Sequence, residues 1–107
     1  MTIPNQPLKE IEMINLGEVF AKYDNEFLEF DALENKRHNR QDLCVFLILD
    51  EILPGNSNIV SGADHDIIWL GVNCEKLSEV ATEDDILELR RCGVSYDNHN
   101  DCLTMFV

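Results

Sequence analysis

Residues 82–107, TEDDILELRRCGVSYDNHNDCLTMFV, decide the fold that we expect for this chain. Thr82 is a suitable N-cap, and the acidic residues that follow it suit the positive end of a helix. Two arginines complement the negative end, and Gly93 stands where a helix stops. The pattern predicts a helix over residues 83–92 that ends at a tight turn.

The remainder of this stretch is typical of a β-hairpin. Residues 94–97 form one arm and residues 102–107 the other, with the polar stretch DNHND at residues 97–101 as the loop between them. Both faces of the second arm carry apolar side chains, so we expect one face to pack on helices and the other to be partly covered. The stretch IIWLGV at residues 67–72 predicts a third strand, with Trp69 packed in the core.

Helices are predicted in the first half of the chain. Apolar residues recur at steps of three and four over residues 16–35, and Asn15 offers an N-cap, which predicts a long amphipathic helix. Residues 41–53, QDLCVFLILDEIL, are apolar almost all round, and their length and the Pro-Gly pair after them favour a buried helix over a buried strand. Residues 74–81 indicate one or two further helical turns.

These elements predict an α+β fold, with two main helices and a shorter helix packed on a small antiparallel sheet that has a C-terminal hairpin. A length of 107 residues suits a single domain over residues 1–107, with residues 1–14 as a lead-in segment. The longest apolar run is far shorter than the roughly 20 residues of a membrane span. The first residues also lack the apolar core of a secretory signal, so we expect a cytoplasmic protein.

The charge is the unusual property of the composition. The chain has 21 Asp and Glu against 8 Lys and Arg, a formal net charge of −13 at pH 7. This charge excludes an electrostatically driven nucleic-acid binder and disfavours contact with an anionic membrane. The magnitude of this net charge also exceeds the value that is sufficient to keep a small domain soluble. Two explanations stay open: solvation alone, or a partner that is basic or itself binds nucleic acid.

Carboxylates that lie off the apolar stripes are the candidate partner-binding residues. An unpaired charge is costly to bury, so these side chains are expected to face water or a partner. They lie on the helix predicted over residues 83–92 and on its rival, the helix predicted over residues 16–35. The candidates are Glu83, Asp84 and Glu88 on the former, and Glu18, Glu26 and Glu29 on the latter.

An enzyme or metal protein is the alternative from a different functional class. His65 and Asp66 are adjacent, as in the metal sites of HD-type phosphohydrolases, but those domains are larger and need further His and Asp ligands, so a turn-capping aspartate is the simpler interpretation. Cys92, His99 and Cys102 match no common zinc spacing. In a cytoplasmic chain the four cysteines are expected to be free thiols. We therefore expect no catalytic residue, metal or cofactor.

Several short segments of the C-terminal part carry a resemblance. The segments HD at residues 65–66, TEDDI at 82–86, RCGV at 91–94, YD at 96–97 and MFV at 105–107 resemble parts of small acidic proteins encoded by bacteriophages and prophages. The resemblance covers about residues 60–107. It implies a setting among accessory phage genes, many of whose products act on host proteins, and it assigns no activity and no site residue.

Two binding functions follow from charge, size and resemblance. The first is a phage-type inhibitor of a host defence or nucleic-acid-binding protein, such as a CRISPR effector or a restriction enzyme, with helix carboxylates standing in for phosphates. The second is an immunity or antitoxin protein that neutralises a basic toxin nuclease, which a neighbouring toxin gene would indicate. Both predict a protein partner with a basic or nucleic-acid-binding surface, no direct contact with nucleic acid or membrane, and no turnover of a substrate.

Overall fold

The computed structural model describes residues 13–56 and 58–107, so most of the predicted lead-in segment lies outside the described residues. Short 3₁₀ helices at Asp24–Glu26 and Phe30–Ala32 follow the first α-helix. The α-helices are α1 (Leu16–Lys22), α2 (Gln41–Ile52), α3 (Cys74–Val80) and α4 (Glu83–Arg91), and the strands are β1 (Val60–Asp64), β2 (Ile67–Leu70), β3 (Val94–Asp97) and β4 (Cys102–Phe106).

The α4 helix begins and ends as its sequence predicted. Thr82 Oγ1 accepts a hydrogen bond from the backbone N–H of Asp85 at 3.1 Å, and Asp85 Oδ2 accepts one from the N–H of Thr82 at 2.9 Å. This capping box satisfies two backbone donors that a helix start leaves free. After the helix, Gly93 has a φ of +91°, and a Cβ there would lie 2.8 Å from Leu28 Cδ2. The positive φ favours glycine, and a Cβ would also force the end of the Leu28 side chain to shift.

The four strands form one antiparallel sheet in the order β1-β2-β4-β3. The C-terminal hairpin pairs β3 with β4, and β4 pairs on its other side with β2, where Leu70 lies opposite Leu103. The predicted hairpin and third strand are confirmed. The strand β1 was not predicted, because its five residues, VSGAD, lie at the edge of the sheet and are mostly exposed, so their sequence carries little apolar pattern.

The hydrophobic core lies between the helices and one face of the sheet. The side chains of α2 supply its centre, and Val45 and Ile48 are fully buried. Residues of α1, α3, α4 and the sheet belong to the same buried cluster. The predicted α+β fold and the buried helix near residues 41–53 are therefore confirmed. Among the described residues, no helix has the length and apolar character needed to cross a membrane.

The first helix is much shorter than predicted, since α1 ends at Lys22 and two 3₁₀ turns follow. Leu28 has a φ of +64°, which an α-helix does not allow. Its backbone N–H donates instead to the carbonyl of Arg90 at 3.1 Å. The last carbonyls of a helix have no partner within the helix, so a contact with the end of α4 takes the place of a local helical bond.

Trp69 does not lie in the core, contrary to its predicted position. It is partly buried, yet it is not among the side chains that pack against the buried cluster. Its ring lies beside Gly62 of the neighbouring strand, where a Cβ would be 3.6 Å from Trp69 Cε3. Its neighbour Ile68 points to the core side of the sheet. Side chains alternate along a strand, so Trp69 lies on the opposite face.

Candidate acidic binding surface

Three of the six predicted partner-binding carboxylates form ion pairs with basic side chains of other elements. Each pair reduces the free negative charge of its carboxylate and joins two parts of the fold. The pairs are Glu83 with Lys22 at 2.6 Å, Glu26 with Arg91 at 2.9 Å, and Glu88 with Arg37 at 3.0 Å.

Glu83 remains accessible despite its partner. It accepts hydrogen bonds from Lys22 Nζ and, at 3.3 Å, from the hydroxyl of Tyr23, so it connects the start of α4 to the end of α1. The bond from Lys22 lowers the pKa of Glu83 and raises that of Lys22. The Glu83 side chain is 47% exposed. Ion pairs of this kind add little stability, so a partner could displace the lysine at small cost.

Glu88 is far less available. Its side chain is 21% exposed, and that of Arg37 is 15% exposed. Arg37 also binds Glu51 of α2, at 2.9 Å. The two carboxylates raise the pKa of Arg37, with Glu51 as the larger cause. The expectation that Glu88 faces water or a partner is therefore corrected, because its carboxylate lies in a bridge between α2 and α4.

The other three candidates are exposed and belong to three different segments of the chain. Glu18 is in the first turn of α1, Glu29 lies between the two 3₁₀ helices, and Asp84 is in the first turn of α4. Within residues 13–56 and 58–107, none of them forms an ion pair with another described residue.

Asp84 does meet other carboxylates in a shallow groove of about 240 Å³ between α4 and the segment before α2. We call it the acidic groove. Sequence reasoning missed Glu34, which lines the groove together with Asp84, since nothing in the local pattern places the segment after the 3₁₀ helices against α4. Its single basic side chain, Arg91, is already paired with Glu26. The lining residues are Leu33, Glu34, Asn35, Asp84, Leu87, Glu88 and Arg91.

Most basic side chains are occupied by contacts within the fold. Of the seven Lys and Arg residues within 13–56 and 58–107, five form ion pairs with Asp or Glu. Each pair cancels charge of both signs, so the net charge is unchanged, but the charge that stays unpaired is mostly acidic. Several of these pairs connect elements that are distant in sequence. The five are Lys22, Arg37, Arg40, Arg90 and Arg91.

Arg90 shows how a basic side chain is used within the fold, although its Nε is buried without a hydrogen-bond partner among the described residues. It is 6% exposed, and its guanidinium lies 4.9 Å from the ring centroid of Phe27. It pairs with Asp24 and donates to the carbonyl of Val94 at 3.1 Å and to Ser95 Oγ at 2.9 Å. These contacts hold the first 3₁₀ helix and β3 against α4, so Arg90 serves the fold and offers no positive charge to a ligand.

The candidate metal and enzyme residues are not brought together. His65 lies in the turn between β1 and β2 with a side chain that is 89% exposed. Cys92 is fully buried at the end of α4, whereas His99 is exposed in the β3–β4 loop. Burial, followed by the neighbouring Cys44, raises the pKa of Cys92 to about 12, which disfavours a nucleophilic thiolate. The part of the chain that is described holds no group of three or more potential metal ligands.

No protein-family model matches this chain, and neither the curated proteins nor the solved structures contain a match to it.

Proposed function

We propose that this chain is a non-enzymatic acidic binding protein whose partner is a protein with a basic or nucleic-acid-binding surface. The observation that carries the proposal is the use of the basic residues: of the seven Lys and Arg that the structure describes, five are held in ion pairs, so the charge that stays unpaired is mostly acidic. Carboxylates such as Glu18, Glu34 and Asp84 remain exposed. A field of this sign attracts a basic partner from a distance and accelerates association.

The finer proposal is a phage-type inhibitor that acts in the host cytoplasm on a defence or nucleic-acid-binding protein. In that role the carboxylates of the acidic groove and of α1 stand in for phosphates. The resemblance of residues 60–107 to small phage proteins and the net charge of −13 support it. An immunity protein against a basic toxin nuclease would use the same physical mechanism, and the identity of the captured partner separates the two.

Partner binding at low and high ionic strength tests the proposal, after capture of the partner from a host-cell lysate. Steered association should slow strongly as salt rises, because screening shortens the reach of the field. The double variant Glu34→Lys and Asp84→Lys reverses the acidic groove without breaking an ion pair among the described residues. We expect it to slow association by about tenfold or more.

A matched control carries the same change of charge elsewhere. Glu75→Lys and Glu79→Lys lie on exposed positions of α3, so this pair reports the effect of net charge alone. A larger loss for the groove variant would assign the contact to the groove. An affinity that ignores salt and both reversals would contradict the proposed function.

A further inference from the structure

The face of the sheet that points away from the core carries a group of apolar side chains on β2 and β4. In the pairing of β2 with β4, Leu70, Leu103 and Met105 are buried, so the residues that alternate with them share the opposite face. We call this the outer sheet face. Its central residues are Ile67, Trp69, Thr104 and Phe106.

The apolar side chains of the outer sheet face are adjacent and exposed. Ile67 and Phe106 are direct cross-strand partners, and they are 40% and 42% exposed. Val107, directly after β4, is 50% exposed. Trp69 lies in the next row, beside Gly62. Single exposed apolar residues need no explanation, but a contiguous group that includes tryptophan is typical of an interaction surface.

A groove continues this surface around the end of β4. Phe106 and Val107 form one wall of a cavity of about 360 Å³, and its other lining residues are Leu28, Arg40, Gln41 and Asp42. Arg40 and Asp42 pair with each other at 3.0 Å, so these two side chains add no net charge to the groove. The apolar surface is therefore not a flat patch alone, since it has a recess that can receive an anchoring side chain. Anchors of this kind dominate the energy of protein interfaces.

The charges around the outer sheet face define what can occupy it. Residues 60–70 and 94–107, which hold all four strands and their turns, contain four aspartates and neither Lys nor Arg. One of them, Asp64, lies in the same cross-strand row as Ile67 and Phe106. A second copy of this chain would bring the same negative charge, which opposes self-association. A partner segment with apolar side chains flanked by Lys or Arg would complement both the apolar residues of the outer sheet face and the aspartates around them.

We propose that the outer sheet face is the docking surface for a protein segment whose apolar side chains are flanked by Lys or Arg. The inference rests on the proposed function and deepens it, because it assigns the two parts of binding to different surfaces. Burial of Trp69 and Phe106 supplies affinity, and the carboxylates supply fast, salt-sensitive association.

A synthetic peptide of leucine and lysine is the probe, compared with a serine–lysine peptide and a leucine–glutamate peptide. Trp69 is the only tryptophan in the chain, so its fluorescence reports contact at this face. We expect the leucine–lysine peptide to shift the emission to shorter wavelength and to shield Trp69 from acrylamide quenching. The serine–lysine peptide should bind in low salt without either effect, and the leucine–glutamate peptide should not bind.

A matched pair of variants tests the position of the site. The double variant Ile67→Ser and Phe106→Ser should bind the leucine–lysine peptide about tenfold or more weakly. The control, Leu47→Ser and Val80→Ser, removes side chains that are 42% and 52% exposed on helices, and its affinity should stay within about twofold of wild type. Thermal unfolding of each variant establishes that the fold is retained. If the sheet variant unfolds, the shielding of Trp69 in the wild-type protein alone tests whether the peptide docks on the outer sheet face.

The outcomes separate this inference from the proposed function. The docking surface would be overturned if the leucine–lysine peptide bound wild type and sheet variant equally, or if Trp69 stayed unshielded. Salt-sensitive binding of the lysine peptides would then still support an acidic binding protein. Failure of both lysine peptides to bind would count against the proposed function itself. A dimer of the wild type that the Phe106→Ser change abolishes would assign the face to a second copy and overturn the inference.

Discussion

Arg37 Nη1 lies 3.0 Å from Glu88 Oε2, and both side chains are mostly shielded from solvent. The same guanidinium binds Glu51, so a residue of the loop before α2 joins α2 to α4. A half-buried ion pair of this kind is costly to break, since the remaining partner is left uncompensated. The residue that sequence reasoning placed on a free acidic surface therefore holds helices together.

Reversal of this carboxylate should destabilise the fold. Glu88→Lys places a positive charge against Arg37, and we expect a loss of about 1–3 kcal/mol in the free energy of unfolding. Glu34→Lys, an exposed position in the same groove, is the control and should change stability by less than about 0.5 kcal/mol. Urea denaturation of both variants measures the difference. Equal stability of the two would show that the Arg37–Glu88 pair contributes nothing.

The hydrogen bond from Tyr96 Oη to Asp101 Oδ1, at 2.5 Å, should make stability depend on pH in the alkaline range. This bond raises the pKa of Tyr96 to about 12. The folded state therefore holds the phenolic proton more tightly than the unfolded chain, whose pKa is about 10. The contribution is fully present below about pH 10 and is lost as the pH rises towards about 12.

Absorbance titration of tyrosinate checks this relationship. The chain has two tyrosines, so the Tyr23→Phe variant leaves Tyr96 as the only reporter. Half-ionisation should fall near pH 12, and the further change Asp101→Asn should move it towards about pH 10. Titration near the ordinary value with Asp101 intact would contradict the prediction.

The four cysteines should be free and unequally reactive. Cys44, Cys74 and Cys92 are buried, whereas Cys102 is partly exposed. Burial raises the pKa of Cys74 to about 11. In the native protein, iodoacetamide at mildly alkaline pH should therefore label Cys102 first and leave the buried thiols unmodified. After denaturation without a reductant, mass spectrometry should find all four alkylated, and any lower count would indicate a disulfide.

The end of the chain should be essential to the sheet. Met105 is fully buried and lies between Ile68 of β2 and Val94 of β3. Removal of residues 105–107 should cost about 3–5 kcal/mol or more, by analogy with the loss of a large core side chain.

Removal of Val107 alone is the matched control for this truncation. This residue is half exposed, and its main structural contact is the bond from its N–H to the carbonyl of Asp66, at 2.9 Å. The expected cost is about 0.5–1.5 kcal/mol. A melting temperature that is unchanged by the longer truncation would show that β4 frays at this end.

Local chemistry was sufficient to predict α4 and the C-terminal hairpin. The N-cap at Thr82 and the stop at Gly93 lie within or next to α4 itself, so the spacing of a few residues predicted both ends. The hairpin of β3 and β4 was predictable for the same reason, since its two arms are neighbours along the chain.

Contacts between distant segments explain what the sequence did not predict. The apolar spacing after Lys22 is helical, but Leu28 bonds to Arg90, and no local pattern reveals a partner on another helix. The strand β1 has few apolar residues, so its sequence shows no strand pattern. It is defined as a strand only by its pairing with β2. The apolar stretch that contains Trp69 fits either a strand buried on both faces or a strand with one exposed face. The sequence pattern therefore could not tell on which face of the sheet the Trp69 side chain lies.

The electrostatic properties also divide into a part that the sequence determined and a part that only the tertiary structure decided. Composition alone determined that the chain carries −13 at pH 7, because formal charge is a sum over residues and does not depend on their arrangement. Which carboxylates remain free was decided only by the tertiary structure: Glu88 meets Arg37 and Glu26 meets Arg91, while Asp84 stays exposed. Coulomb attraction falls with distance in space, and the folded backbone, unlike the order of the residues, determines those distances.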